Sequence, residues 1–442
     1  MSVTSTPDDR QLAVTSRSSR EGLIATAMGN TLEWYDWGIY SIFAIYFATQ
    51  VFSPTDNIAA LLGAMAVFAA GFIARPVGGL LFGWVADHLG RRVSMISTVG
   101  LASAGSLMIA LVPTYDVAGL WSALILLAAQ LIQGLAHGGE MPTAQTYIAE
   151  TAPPARRGLW SSLIYVSGTS GIVIGLVMGV MLDALLSDQI MAAWGWRIPF
   201  VIGAVVGLCT MLARSRLKET ETFEKAQEKP RMWLEVKKNR SSAARVIGLG
   251  VGGAVCYYVW SVSAVQQAVL VHGMPQGTAM LASVLANIVL IISLPFWGRF
   301  SDRFGRRPAM IIGTGVPLVL FVPLQYMLGS GFWSLFVPST VILVMMGAGL
   351  ANTPAIFAEL FPTRVRTIGV AVPYSVAAAV FGGTAPYLQS WLNTSYGPVP
   401  FNVYATVLLI VSTVFAIRLP ETRGTDLNDV RVTERTRIPD HI

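Results

Sequence analysis

Hydrophobic residues in this chain come in long runs of similar length, separated by short polar breaks. About 20 apolar residues cross a bilayer as a helix, and twelve stretches qualify: 22–51, 58–86, 93–113, 117–149, 159–183, 196–213, 246–270, 277–298, 308–328, 333–358, 368–391 and 398–417. The pattern predicts an all-α membrane protein with twelve transmembrane helices, numbered below as segments 1 to 12. Composition agrees, because only 12% of the 442 residues are charged and mean hydropathy is +0.59, whereas soluble domains carry about 25% charge.

The polar breaks repeat. Gly83, Asp87, Gly90, Arg91 and Arg92 close segment 2, and the same residues return at the same offsets as Gly298, Asp302, Gly305, Arg306 and Arg307 after segment 8, the aspartates 215 positions apart (302 − 87). One copy could be an ordinary basic loop; two copies at a fixed period mark an internal repeat. Glu150 with Arg156, Arg157 and Gly158 after segment 4 matches Glu359 with Arg364, Arg366 and Gly369 after segment 10. Arg216-Leu217-Lys218-Glu219-Thr220 likewise matches Arg418-Leu419-Pro420-Glu421-Thr422. The chain therefore divides into a tail (1–20), a six-helix bundle (21–213), a linker (214–245), a second six-helix bundle (246–418) and a final tail (419–442), with substrate expected at the midplane between the halves. The repeated loop resembles the signature of the major facilitator superfamily. That resemblance implies a fold of two pseudo-symmetric six-helix bundles, and charge contacts at these loops that hold one conformation and release in the other. On it, Gly83, Asp87, Gly90, Arg91, Arg92, Glu150, Arg157, Gly298, Asp302, Gly305, Arg306, Arg307, Glu359 and Arg366 are the gating candidates.

Charge placement sets topology. The net charge of +6 and pI of 9.4 could suggest nucleic acid, yet every Lys and Arg except Arg75 and Arg197 lies in the termini and alternate loops, ten of them in 214–245. By the positive-inside rule both termini and the basic loops are expected on the cytoplasmic side of a cell membrane. No nucleic-acid partner is expected, and no cleavable signal peptide, since residues 1–20 are polar. Cys209 and Cys256 both fall within spans, so no structural disulfide is expected. The glycines Gly168, Gly171, Gly175 and Gly179 of segment 5 predict close approach of another helix. Pro373, Gly382, Gly383 and Pro386 could bend segment 11.

Ionisable side chains at membrane depth are costly and mark function. At 1.5 Å per residue, Glu33 and Asp36 lie roughly 16 and 21 Å from the cytoplasmic end of segment 1, Arg75 about 18 Å up segment 2, and Glu140 and His137 about 15 and 20 Å up segment 4. Five groups from three helices thus share a layer. Gln130, Gln133, His137, Glu140 and Tyr147 follow steps that keep them on one helical face. Each could be a satisfied structural residue, Glu33 or Asp36 paired with Arg75 for instance. The functional alternative makes Glu33, Asp36, His137 and Glu140 proton-coupling candidates, because burial and a nearby Arg act on an acid in opposite senses and opening to either side changes that balance. Arg75, Tyr35, Trp37, Tyr40, Gln130 and Gln133 are substrate-binding candidates in this half. The second half has no Asp, Glu, Lys or Arg inside its spans apart from their loop ends, and offers Tyr257, Tyr258, Gln266, Asn352 and Tyr374 as an aromatic and amide wall.

The runs Gly29-Asn30-Thr31-Leu32-Glu33-Trp34-Tyr35-Asp36-Trp37, Arg75-Pro76-Val77-Gly78-Gly79, Gln133-Gly134 with Gly138-Gly139-Glu140, Trp194-Gly195-Trp196-Arg197-Ile198-Pro199-Phe200 and Glu359-Leu360-Phe361-Pro362 resemble the metabolite:H+ symporter family over about residues 20–425. Phe381-Gly382-Gly383-Thr384-Ala385 leans towards its α-ketoglutarate permeases. The resemblance implies proton-driven uptake of a small organic acid or zwitterion by a monomer in a bacterial cytoplasmic membrane. Gln130 stands where that family usually has arginine, so Arg75 or His137 would have to substitute, and His88 replaces a usual arginine. An uncoupled facilitator is the nearest alternative. An exchanger is less expected, because no proline lies between Gly158 and Ile198. From another class, a transporter-like sensor would bind without translocating. An enzyme is not expected: no phosphate-binding loop or nucleophile turn is present, and His88, His137, His272 and His441 give no metal-ligand spacing, so no cofactor or metal is expected.

Overall fold

The computed structural model describes residues 7–52, 56–89, 91–138, 140–215, 239–362 and 366–427, and among them all side chains except those of residues 7–22, 24, 25, 83, 86–88, 91, 92, 142, 143 and 213–215. The described residues are overwhelmingly helical and include no strand. Eleven of their helices are long and apolar enough to cross a bilayer. The twelfth crossing, segment 1, is the helix Pro7–Val51. This is the twelve-helix architecture that the hydrophobic runs predict.

Segments 2 and 3 are Asn57–Leu89 and Arg91–Ala110. Segments 5 and 6 are Arg157–Leu185 and Ile198–Ser215. Segments 8, 9 and 12 are Gln276–Phe304, Arg306–Gln325 and Pro398–Ile417. Segment 4 departs from the single helix predicted over 117–149. It comprises a short turn Tyr115–Ala118, a helix Leu120–His137 and, after a break at Gly138, a second helix Glu140–Thr151. The predicted stripe is therefore split, with Gln130, Gln133 and His137 before the break and Glu140 and Tyr147 after it. Segment 10 breaks correspondingly between Phe332–Leu350 and Thr353–Glu359.

Two crossings contain a turn of π-helix. Segment 11 runs Arg366–Ala377, π over Ala378–Gly382, then Ala385–Tyr396. Segment 7 runs Arg240–Tyr257, π over Tyr258–Val262, then Ala264–His272. Pro373 sits inside a continuous helix, so the irregularity in segment 11 falls at the glycines. In each π turn an N–H donates five residues back, Ser263 to Tyr258 (2.9 Å) and Gly383 to Ala378 (2.8 Å). Such single turns widen the helix and cluster at functional sites.

The halves meet through segment 5 against segment 8, and segment 2 against segment 11. Within the first half, segment 1 packs along the glycine stripe of segment 5, where a Cβ on Gly171 would stand 2.2 Å from the Thr31 carbonyl oxygen. Asn30 rivets this contact, donating to the Ile164 carbonyl (2.6 Å) and the Ser167 hydroxyl (2.9 Å). No shift of a flexible side chain can relieve a clash with backbone. Gly171→Leu should therefore cost about 1–3 kcal/mol and lower the melting midpoint in detergent, whereas Gly253→Ala, with nothing within 4 Å of its Cβ, should leave it unchanged.

Candidate functional site: a charged layer beside an aromatic cavity

Segments 1, 2 and 4 bring the five ionisable groups together. Arg75 Nη2 lies 3.5 Å from Glu33 Oε1, and both residues are buried. The Arg75 guanidinium lies over Phe72 (4.0 Å to the ring centroid) and the adjoining Trp37 (4.3 Å), so cation–π attraction to two neighbouring rings holds it. His137 Nε2 is 4.0 Å from Asp36 Oδ2. Donor atoms of Glu33, His137 and Glu140 all lie within 4.8 Å of one another. Asp36 Oδ1 accepts from Ser106 (3.1 Å), whose hydroxyl accepts from Gln133 Nε2 (2.8 Å). Neither carboxylate oxygen of Glu33, neither ring nitrogen of His137 and neither amide atom of Gln130 makes a hydrogen bond. Buried polar groups are normally paired, since leaving one unpaired costs about 1–3 kcal/mol.

Next to this layer is a cavity of about 60 Å³, lined by Trp34 and Tyr165 from the first half and by Tyr257, Tyr258, Phe357, Tyr374 and small residues of segments 7, 9, 10 and 11. At one probe sphere per water it has room for roughly four to six waters. Trp34 and Tyr258 form its boundary with the charged layer. Trp34 sits edge-on to Tyr257 at 5.4 Å and stacks with Tyr258 at 6.3 Å, and Tyr258 meets Phe72 edge-on at 5.2 Å. The Tyr257 hydroxyl is 3.1 Å from that of Thr169, joining the halves.

The structure does not bring every candidate here. Tyr35 donates to the Pro199 carbonyl (2.8 Å) and Tyr40 to the Ala64 carbonyl (3.0 Å), so both brace segment 1 against its neighbours. Gln266 donates to the backbone carbonyl and hydroxyl of Ser41, tying segment 7 to segment 1 on the face away from the linker. Asn352 donates to Ala348 (2.6 Å) at the break in segment 10 and is absent from the cavity lining. Trp34, Tyr165 and Ser106 are among the contributors that were not candidates. Trp34 adjoins Glu33 in the segment 1 motif, and Tyr165 lies three residues before Gly168 on the face turned to segment 1; those spacings were the available signals. Ser106 had none.

On the basic face, two arginines cross between halves in the same way. Arg157 Nε donates to Ala149 (3.2 Å) and its Nη1 pairs with Glu359 at 2.8 Å. Arg366 Nε donates to Ala358 (2.9 Å) and its Nη1 pairs with Glu150 at 2.7 Å. Asp302 accepts from the Gly158 and Leu159 N–H groups (2.8 and 2.9 Å), receiving the free donors at the start of segment 5. Arg306, fully buried, holds Asp302 at 2.8 Å and lies 3.5 Å from Glu359. Gly298 passes against Gly158, leaving no room for a side chain. Gly305 turns the chain with φ +111°, where Glu421 receives the Arg306 and Arg307 N–H groups (2.8 and 3.1 Å). Of the gating candidates in the first loop, Gly90 lies outside the described residues, and Gly83, Asp87, Arg91 and Arg92 lie in segments 2 and 3 with side chains outside what is described.

Known proteins share this plan. A family model described as "Sugar (and other) transporter" matches residues 22–232 and 214–433. The chain is 33% identical over 424 residues to the α-ketoglutarate permease of Escherichia coli, covering 94% of this chain and 97% of that protein. It is 30% identical over 418 residues to a putative proline/betaine transporter of Staphylococcus haemolyticus, covering 90% and 86%. Among solved structures, the E. coli xylose transporter XylE in a partially occluded inward-open conformation superposes with TM-score 0.71 at 17% identity, over 92% of this chain and 98% of that one. XylE as the proton:xylose symporter bound to 6-bromo-6-deoxy-D-glucose gives 0.73 at 18%, over 93% and 98%.

The two crossed pairs differ in burial. Glu359 is enclosed and shared with Arg306, whereas the Glu150 side chain is 41% exposed. Breaking a buried pair costs about 3–5 kcal/mol and an exposed one about 0–1. Glu359→Gln should thus destabilise far more than Glu150→Gln in parallel unfolding in detergent, and equal losses would refute this ranking. Glu421 adds a pH dependence. Burial works against its carboxylate, but the N–H groups of Arg306, Arg423 and Arg307 and the Arg306 guanidinium outweigh burial and hold its pKa below the usual value. A depressed folded pKa gives stability that is present above the unfolded value of about 4.3 and is lost as pH falls through the folded one. The melting deficit of Glu421→Gln should accordingly be largest near neutral pH and shrink towards pH values below about 4.

Proposed function

Because the chain belongs to the sugar (and other) transporter family of the major facilitator superfamily, we propose that it carries a small mono- or dicarboxylate together with a proton across the cytoplasmic membrane by alternating access. The observation that carries this reading is the Glu33–Arg75 pair, buried and beyond hydrogen-bonding distance at 3.5 Å, one aromatic layer from the cavity. Arg75 is the only permanent cation in that layer among the described residues. A substrate carboxylate reaching it competes with Glu33, and Glu33 released from its partner takes up a proton. Asp36, His137 and Glu140 extend the proton site, with Gln133 and Ser106 orienting Asp36. Tyr257, Tyr258 and Tyr374, with Trp34 and Tyr165, supply the wall on which the rest of the substrate rests. The crossed arginine pairs close the basic face, read as cytoplasmic from the lysines and arginines, and part when it opens. Gln130 leaves the usual cation position neutral. Arg75, one helical turn beyond the Gly71 that Gln130 touches, takes over that charge.

A second reading has its own support. The cluster of Trp34, Tyr165, Tyr257 and Tyr258 beside an acid is a setting that binds quaternary ammonium groups, and a relative is described as a putative proline/betaine transporter. Reconstituted protein with labelled α-ketoglutarate and betaine separates the two, with a trapped pH dye reporting proton entry. Carboxylate uptake with acidification of the lumen is the expected outcome. Uptake without acidification would make the chain an uncoupled facilitator, and label that saturates at one per protein would make it a sensor. Glu33→Gln and Arg75→Gln should each cut concentrative uptake by roughly tenfold or more, since losing one partner of a buried pair costs several kcal/mol and about 1.4 kcal/mol is tenfold.

A further inference from the structure

We propose that the break in segment 4 builds a binding site for a divalent transition-metal ion of the Zn²⁺ class, with Glu33, His137 and Glu140 as its ligands and Asp36 within reach. Nothing in the linear order of these residues suggests it, because the donors come from segment 1 and from two separate helices of segment 4. Three observations carry it.

Donor geometry comes first. One atom from each of Glu33, His137 and Glu140 falls within 4.8 Å of the others, and Asp36 Oδ2 lies 4.0 Å from His137 Nε2. Zinc takes four nitrogen and oxygen donors at about 2.0–2.2 Å, so small rotations of long side chains complete the set. One imidazole with carboxylates is a donor set that zinc accepts and that calcium or magnesium, which prefer oxygen alone, do not.

Pairing comes second. His137 is 5% exposed, and neither ring nitrogen makes a hydrogen bond. Glu33 is 1% exposed, and neither of its oxygens makes one. These are buried ligand atoms within 4.8 Å of one another that make no hydrogen bond.

Charge comes third. Two buried carboxylates, Glu33 and Asp36, share this layer with one guanidinium, Arg75, a formal excess of one negative charge (2 − 1). A bound cation offsets that excess. His137 ends the helix Leu120–His137 and Glu140 begins the next, so an ion held here would pin both pieces of segment 4 to segment 1. It would block movement of those helices as well as proton access, and act as an inhibitor.

The site rests on the cluster itself and not on the transport reading, so binding and transport are tested apart. Purified full-length protein in detergent is titrated with ZnCl₂ by calorimetry and with CoCl₂ by visible absorption, which reports a nitrogen and oxygen ligand field directly. One ion per chain is expected. His137→Gln and Glu140→Gln should each weaken binding by roughly tenfold or more, with the cobalt bands lost in the former. Arg75→Gln, which removes the competing cation, should tighten binding. His272→Gln and His441→Gln should leave it unchanged. Gel filtration accompanies each variant, and the wild-type cobalt spectrum decides the matter even if a variant misfolds. Absence of saturable wild-type binding, or binding that survives both His137→Gln and Glu140→Gln undiminished, overturns the proposal. In proteoliposomes, Zn²⁺ should slow uptake and a chelator restore it. Undetectable transport would count against the proposed function alone.

Discussion

The Glu33–Arg75 pair is the contact on which the organisation of the membrane interior turns. At 3.5 Å, two unit charges attract by about 5 kcal/mol at an effective dielectric of 20. Burying them costs several kcal/mol per ion. The two terms nearly cancel, and no hydrogen bond to Glu33 tips the balance. What keeps Arg75 in place is the stacking of its guanidinium on Phe72 and Trp37. The cation is thus held by aromatic rings while its anionic partner makes no hydrogen bond, the asymmetry on which the proposed exchange of Glu33 for a substrate carboxylate rests.

The gate on the basic face follows the opposite principle. Its charge pairs at 2.7–2.8 Å are also hydrogen bonds. Each crossing arginine binds a carbonyl of its own half and a carboxylate of the other. Asp302 meets unpaired N–H groups of a helix start. Carbonyls of Thr425 and Leu427, beyond segment 12, accept from the same two arginines. The Arg157–Glu359 and Arg366–Glu150 pairs join segments 4 and 5 to segments 10 and 11, while the bonds from the same arginines to Ala149 and Ala358 stay within each half. The opposite face is tied by Gln266 and Ser41, neutral groups on the two helices that flank the charged layer. On the proposed alternating access, opening one face would break ion pairs and opening the other would break an amide contact.

Much of this was legible in the sequence. Bilayer thickness fixes the length of each apolar run, so the twelve crossings could be counted, and the repeated loops showed the duplication. Depth along a helix follows from residue number alone, and Glu33, Asp36, Arg75, His137 and Glu140 do lie together. The orientation of a side chain around its helix was harder to read. A helix wrapped by lipid and by apolar neighbours has little polar contrast to mark its rotation, and the hydroxyls of the substrate-binding candidates Tyr35 and Tyr40 donate to the Pro199 and Ala64 carbonyls. Helix continuity was also hidden. A Cβ on Gly138 would stand 2.0 Å from the Arg75 carbonyl oxygen, and the helix Leu120–His137 ends at this glycine. The π turn of segment 7 has no proline or glycine to announce it, since a π turn needs only one extra residue accommodated by packing.

The division of chemistry between the halves has a physical reason. A charge buried in the membrane needs partners at fixed distance, and the first half supplies them within itself, from segments 1, 2 and 4, so its charged layer can move as one body. The second half lines most of the cavity with aromatic and small side chains, which lose no ionic contact when the halves rotate. Among the described residues, only Trp34 and Tyr165 of the first half reach that cavity. Trp34 follows Glu33 directly in segment 1, and Tyr258 borders both the cavity and the Phe72 ring beneath Arg75. A ligand pressing on either ring acts on the helices that hold the ion pair. Tyr258 begins the π turn of segment 7, so the irregular backbone of the neutral wall lies against the ring beneath Arg75.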